Sequence, residues 1–199
     1  MNQQNSARPL SSTTRHVLTE VIAQLEQYDE AVLGLCARSE VHHTKHGKLG
    51  PGPDEELEQI EERLDAPDSQ MQNDILPLLA DSAYEREELP TSQSNELRVR
   101  VRSDSGVVHN EGGVEGADLM FTRMPARLIQ AVLHPPTFSG VVGLMIEQIS
   151  TEVLFGYING VPLPVKTTMR MRSRGVGSFR IDQETVATIR YEPCSEIEE

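Results

Sequence analysis

Tryptophan is absent from this chain of 199 residues, aromatic side chains make up 4% of it, and only two cysteines occur. Scarce aromatics remove the usual anchors of a large core and the platforms on which single-stranded nucleic acid commonly stacks. Two cysteines are too few for a disulfide framework. Cys36 falls on an expected helix and Cys194 in an acidic tail, so they are expected to stay unpaired, in a reducing, cytoplasmic setting. No stretch reaches the roughly 18 consecutive apolar residues of a membrane-spanning helix. Residues 1–13 are polar and lack an apolar run, which predicts a disordered N-terminus and no signal peptide.

The signatures of catalysis are missing as well. There is no nucleophile-elbow motif and no His-Glu-x-x-His helix, and the carboxylates are scattered, so an enzyme is not expected. Gly112, Gly113 and Gly116 are followed by no Lys-Ser/Thr pair, and Glu111 and Glu115 among them would repel phosphate. Cys36, His42, His43 and His46 form the one cluster of metal-ligand types, but without a recognised zinc spacing they read as solvated side chains. No metal and no cofactor is therefore expected.

What the chain has in abundance is negative charge, unevenly spread. The net charge is −13; residues 1–95 carry 7 basic and 18 acidic side chains, and residues 96–199 carry 11 and 13. Four acids lie in the last eight residues, so the rest of the C-terminal half is slightly basic and could attract the N-terminal half, within a chain or between chains.

Hydropathy patterning divides the chain likewise. Ser11, Ser12, Thr13 and Thr14 are N-cap types before a periodic apolar run, which predicts a helix over residues 14–38. Leu18, Val21, Leu25, Tyr28, Val32 and Leu35 repeat at the a/d spacing of a coiled coil, and such a stripe calls for partner helices. The stretch 42–53, rich in glycine and proline, reads as a flexible loop. Leu57, Ile60 and Leu64 fit one face of a second helix, and a third is expected over 68–84, disturbed by Pro77.

Beyond a polar linker, the period changes. Leu97, Val99 and Val101 alternate with Arg98, Arg100 and Arg102 in an expected strand, and a short helix is expected after Pro125, carrying Leu128, Ile129, Val132 and Leu133. Residues 141–149 lean to strand. Asn159-Gly160 between β-prone runs predicts a type I′ hairpin, and Pro162 and Pro164 after it predict an outer edge without a strand partner. Further strands are expected at 166–174, with Arg170, Arg172 and Arg174 alternating, at 178–181 and at 185–191.

The fold class expected is α+β: an N-terminal helical hairpin or bundle element, then a mainly antiparallel β-sheet region with one short helix. The expected domains are a disordered segment 1–13, a helical hairpin 14–84 that drives oligomerisation, a linker 85–95, an α+β domain 96–192 and an acidic tail 193–199. The functional expectation is a non-enzymatic, self-associating structural or adaptor protein, matrix-like in the viral sense. It would assemble through Leu18, Val21, Leu25, Tyr28, Val32 and Leu35, and dock an acidic protein surface through Arg98, Arg100, Arg102, Arg170, Arg172 and Arg174. RNA binding by the same arginines, in a silencing-type regulator, is the first alternative, although the acidic pI near 4.9 opposes it. An enzyme without a recognisable motif is the second.

Overall fold

Backbone pairing, more than hydropathy, sets the architecture. The computed structural model describes residues 10–48, 55–67, 69–103, 114–134, 144–175 and 180–194. In chain order these form α1 (Ser12–Glu26), α2 (Tyr28–Ala31), β1 (Leu35–Lys48), β2 (Glu55–Asp65), α3 (Gln70–Ala80), β3 (Tyr84–Leu89), β4 (Glu96–Ser103), β5 (Gly116–Thr122), β6 (Arg127–His134), β7 (Leu144–Ile158), β8 (Val161–Gly175) and β9 (Arg180–Pro193). The strands make one nine-stranded antiparallel sheet in the order β2-β1-β9-β8-β7-β6-β5-β4-β3. From β3 to β9 the chain meanders, each strand beside the next. β1 then joins the far side of β9, and β2 lies outside β1.

The chain is therefore mainly β, and the expected N-terminal helical hairpin or bundle does not form. The long helix ends at Glu26. Gly34 takes a positive φ of 78°, a conformation costly for residues with a Cβ, and there the chain turns into β1. Residues 42–48, expected in a loop, belong to β1; residues 49–54 lie outside the described residues. The expected second helix is β2, paired with β1 from Ala37↔Asp65 to Gly47↔Glu55. Long-range pairing here overrides the helix propensity of a Glu- and Leu-rich run. β3 occupies much of the expected linker.

The short helix after Pro125 is also a strand, β6. An extra residue at the β5–β6 register shift places Leu128 opposite Phe121 and Ala131 opposite Leu119, so residues three apart share a face and imitate a helical repeat. The third helix is real, as α3, and keeps Pro77 within it. The Asn159-Gly160 hairpin forms with φ of 52° and 86°, and Ile158 opposes Val161. β9 pairs with β8 only from Lys166 onward, which leaves the outer side of Pro162 and Pro164 without a strand partner among the described residues.

One face of the β3–β7 region is covered by α1 and α3. Val17, Leu18, Val21 and Leu25 of α1 and Ile75, Leu78 and Leu79 of α3 pack on Leu97, Val99, Val101, Leu119, Phe121, Leu128, Ala131 and Leu133. Ser11 caps α1 by accepting from the Thr14 amide at 3.1 Å. Gln72 donates to the Leu25 carbonyl at 2.7 Å and fastens the two helices together. Tyr157 accepts from the Leu128 amide at 2.7 Å, and burial pushes its hydroxyl up to about 12. A smaller cluster gathers Tyr28, Val161 and Leu163, with Val32 and Tyr191 against it.

The apolar stripe is thus consumed inside the chain. Leu18, Val21 and Leu25 lie in the main core, Tyr28 and Val32 in the smaller one, and Leu35 opens β1. The coiled coil expected from these residues does not exist, because the sheet supplies the apolar surface that partner helices would have supplied. The viral matrix-like reading loses the helical assembly on which it leaned.

Candidate interaction surface

β1, β2 and β9 continue the sheet beyond the helices as a long ribbon. Cross-strand neighbours share a face, so the pairing registers fix which side chains meet. On the face opposite the helices β8 presents Arg170 and Arg172, and β9 answers with Glu184 and Asp182. Arg170 is hydrogen-bonded to Glu184, and Arg172 Nε donates to Asp182 at 2.9 Å. Arg180 also donates to Asp182, so two guanidinium groups, Arg172 first, hold that carboxyl below its usual value. With Thr44 and His46 of β1 and Ser150 of β7, Arg170, Arg172, Asp182 and Glu184 line an open groove of about 410 Å³.

The second arginine row behaves alike. Arg100 reaches Asp118 through two nitrogens, at 2.6 and 3.1 Å, which lowers the carboxyl and raises the guanidinium. Arg98 pairs with Glu96, and Arg102 stands opposite Glu85 in the register. Both rows do share one sheet face. They are four strand spacings apart, about 19 Å, and Asp118, Gln130 and Glu152 lie between them. The structure places six arginines on a face of mixed sign rather than in one basic patch.

The histidines separate for the same geometric reason. His42 bonds Glu40 on one face, His43 meets the Thr185 hydroxyl at 3.0 Å on the other, and His46 lies 3.7 Å from Glu56. Among the described residues no group of three or more His, Cys, Asp or Glu side chains could hold a metal ion. Gly116 takes its place from strand packing: a Cβ there would sit 2.4 Å from the Val101 carbonyl oxygen. Gly112 and Gly113 lie outside the described residues, as does the tail after Cys194.

Two features of the ribbon escape sequence reasoning. Cys36 and Cys194, expected to be unpaired, form a disulfide with Cα atoms 5.0 Å apart, because β1 and β9 are neighbours in the sheet although 158 residues separate the two in sequence. No local signal marks that pairing. The other feature is β2, where Leu57 and Ile60 are each 58% exposed and Leu64 is 50% exposed. As strand residues Leu57 lies on one face and Ile60 and Leu64 on the other, so neither face gathers an apolar stripe. The proline- and glycine-rich turn signal between two runs of similar length could have suggested a hairpin.

No known protein family matches the sequence, and no curated protein does. Among solved structures, a LolA superfamily protein from Nitrosomonas europaea aligns over 93% of this chain and 95% of its own, with 10% identity and a TM-score of 0.38. That likeness is too slight to carry identity or function across. No helix of the described residues is long and apolar enough to cross a membrane.

Proposed function

We propose that the protein is a non-enzymatic adaptor that docks a partner protein on the uncovered ribbon β1–β2–β9. The observation that carries this reading is the exposure of Leu57, Ile60 and Leu64 on a strand that has no helical cover. Exposed apolar side chains that gather on one face mark contact surfaces where scattered ones do not, and Ile60 and Leu64, four residues apart on β2, share a face. The polar groups nearby support binding over catalysis. Asp182 and Glu61 are both lowered, by Arg172 and Arg63, which suits fixed ion pairs rather than acids poised to exchange protons near neutrality. The Cys36–Cys194 disulfide favours an oxidising compartment over the cytoplasm.

A photoreactive benzoylphenylalanine placed at Ile60 tests the docking surface in the producing cell, with Met120, on the far side of the helix-covered region, as the control position. A protein adduct forming at position 60 and not at 120 is the expected result. Adducts at neither position, or equally at both, would overturn the reading. Thiol trapping at lysis checks the compartment: Cys36 and Cys194 should resist alkylation until a reductant is added.

A further inference from the structure

Among the described residues β2 hydrogen-bonds to β1 alone, so the backbone groups on its outer side have no strand partner. The opposite edge of the sheet differs. β3 is six residues long, and Arg86 ties it to the end of α3, with Nε donating to the Leu78 carbonyl at 3.0 Å and Nη2 to that of Asp81. β2 is 11 residues long. Long, regular edges are the ones that accept an added strand.

Side chains narrow the choice of strand. Leu57 on one face and Ile60 and Leu64 on the other offer apolar contact at three places along an incoming segment, with charged or polar side chains between them. β2 also carries six acids and one arginine, a net charge of −5. Arg63 engages Glu61, and His46 approaches Glu56, whereas Glu58 and Glu62 have no ion-pair partner among the described residues. Against a second β2, pairing would set carboxylates near carboxylates, and like charges across a ladder destabilise it. The composition that discourages self-pairing favours a segment of opposite sign.

We propose that β2 is a strand-addition site for an extended, lysine- or arginine-bearing segment of a partner protein. This rests on the docking reading above, and it can fail while that reading stands. The test uses the full chain with its disulfide intact and three labelled peptides of the length of β2, followed by fluorescence anisotropy. One alternates Lys with Val, one Glu with Val, and one Lys with Pro, which keeps the charge and removes alternate amides.

The Lys-Val peptide should bind saturably, the Lys-Pro peptide at least about tenfold more weakly, and the Glu-Val peptide not detectably. Replacing Glu58→Lys and Glu62→Lys together, both at exposed positions, should weaken Lys-Val binding at least about tenfold and admit the Glu-Val peptide. Equal binding of Lys-Val and Lys-Pro would reduce the effect to attraction by an acidic protein and overturn the proposal. Binding unchanged in the double variant would place the site elsewhere and overturn it too. A parent dimer in sedimentation that Ile60→Pro dissociates would assign the edge to a second copy. If no peptide binds while the adduct at Ile60 persists, the docking reading survives and strand addition does not.

Discussion

Leu119 and Ile60 both sit in the middle of antiparallel strands of one sheet, yet Leu119 is 1% exposed and Ile60 58%. The region under the helices is held by apolar burial, at roughly 1.5–3 kcal/mol for each large side chain fully removed from water. The ribbon is held by its backbone ladder, by solvent-screened cross-strand ion pairs and by one disulfide. Sheet geometry alone therefore does not set local stability; what covers the sheet does. On the ribbon's outermost strand, where Leu57, Ile60 and Leu64 stand in solvent, substitution is therefore expected to cost little.

The largest expected effect lies in the covered region. Phe121→Ala removes a ring that is wholly buried between the helices and the sheet, and should cost roughly 3–5 kcal/mol in chemical denaturation. Ile60→Ala, a loss of similar chemistry in the ribbon, should fall within about 0.5 kcal/mol. Comparable costs at both sites would erase the distinction between the two regions. Next comes the disulfide: Cys36→Ser with Cys194→Ser should lower stability by roughly 2–5 kcal/mol. Hydrogen exchange should then quicken first in β1, β2 and β9, while the amides of β4 and β5 stay protected.

Two smaller effects sharpen the comparison. Gly160→Ala forces a Cβ into the positive-φ position of the hairpin and should cost about 1 kcal/mol in thermal unfolding. Asp118 supplies the pH dependence. Its carboxyl is lowered by the hydrogen bond from Arg100, so its contribution is present above the unfolded value of about 3.9 and is lost as pH falls through the lowered folded value. Because the pair is partly solvated, that contribution is about 1 kcal/mol or less. Asp118→Asn should flatten the acid limb of stability below about pH 4, and an unchanged limb would remove Asp118 from the account.

The same division decided what could be read from the sequence. β4 announced itself because Leu97, Val99 and Val101 face a helical layer and Arg98, Arg100 and Arg102 face solvent. Period two is visible only when the two faces see different surroundings. Both faces of β2 are wet, so Leu57, Ile60 and Leu64 obey no strand period and fell by accident into a helical one. The hairpin at Asn159-Gly160 was legible because its turn chemistry is local, whereas the pairing of β1 with β9 joins segments that no local pattern relates. The arginine rows were placed on the correct face, but the carboxylates that meet them come from other strands, and the register that brings them together is a property of the folded sheet alone.

The bond between Cys36 and Cys194 makes most of the chain a covalent ring. A single cut by a protease anywhere inside that ring opens it without releasing a fragment: the two pieces stay threaded on one sulfur bridge. Such a nicked molecule should migrate near its full mass on a non-reducing gel and fall apart into two bands once thiol is added. Two cuts inside the ring are needed before any part can drift away, so the molecule tolerates one wound to its backbone and keeps every strand within reach of its neighbour.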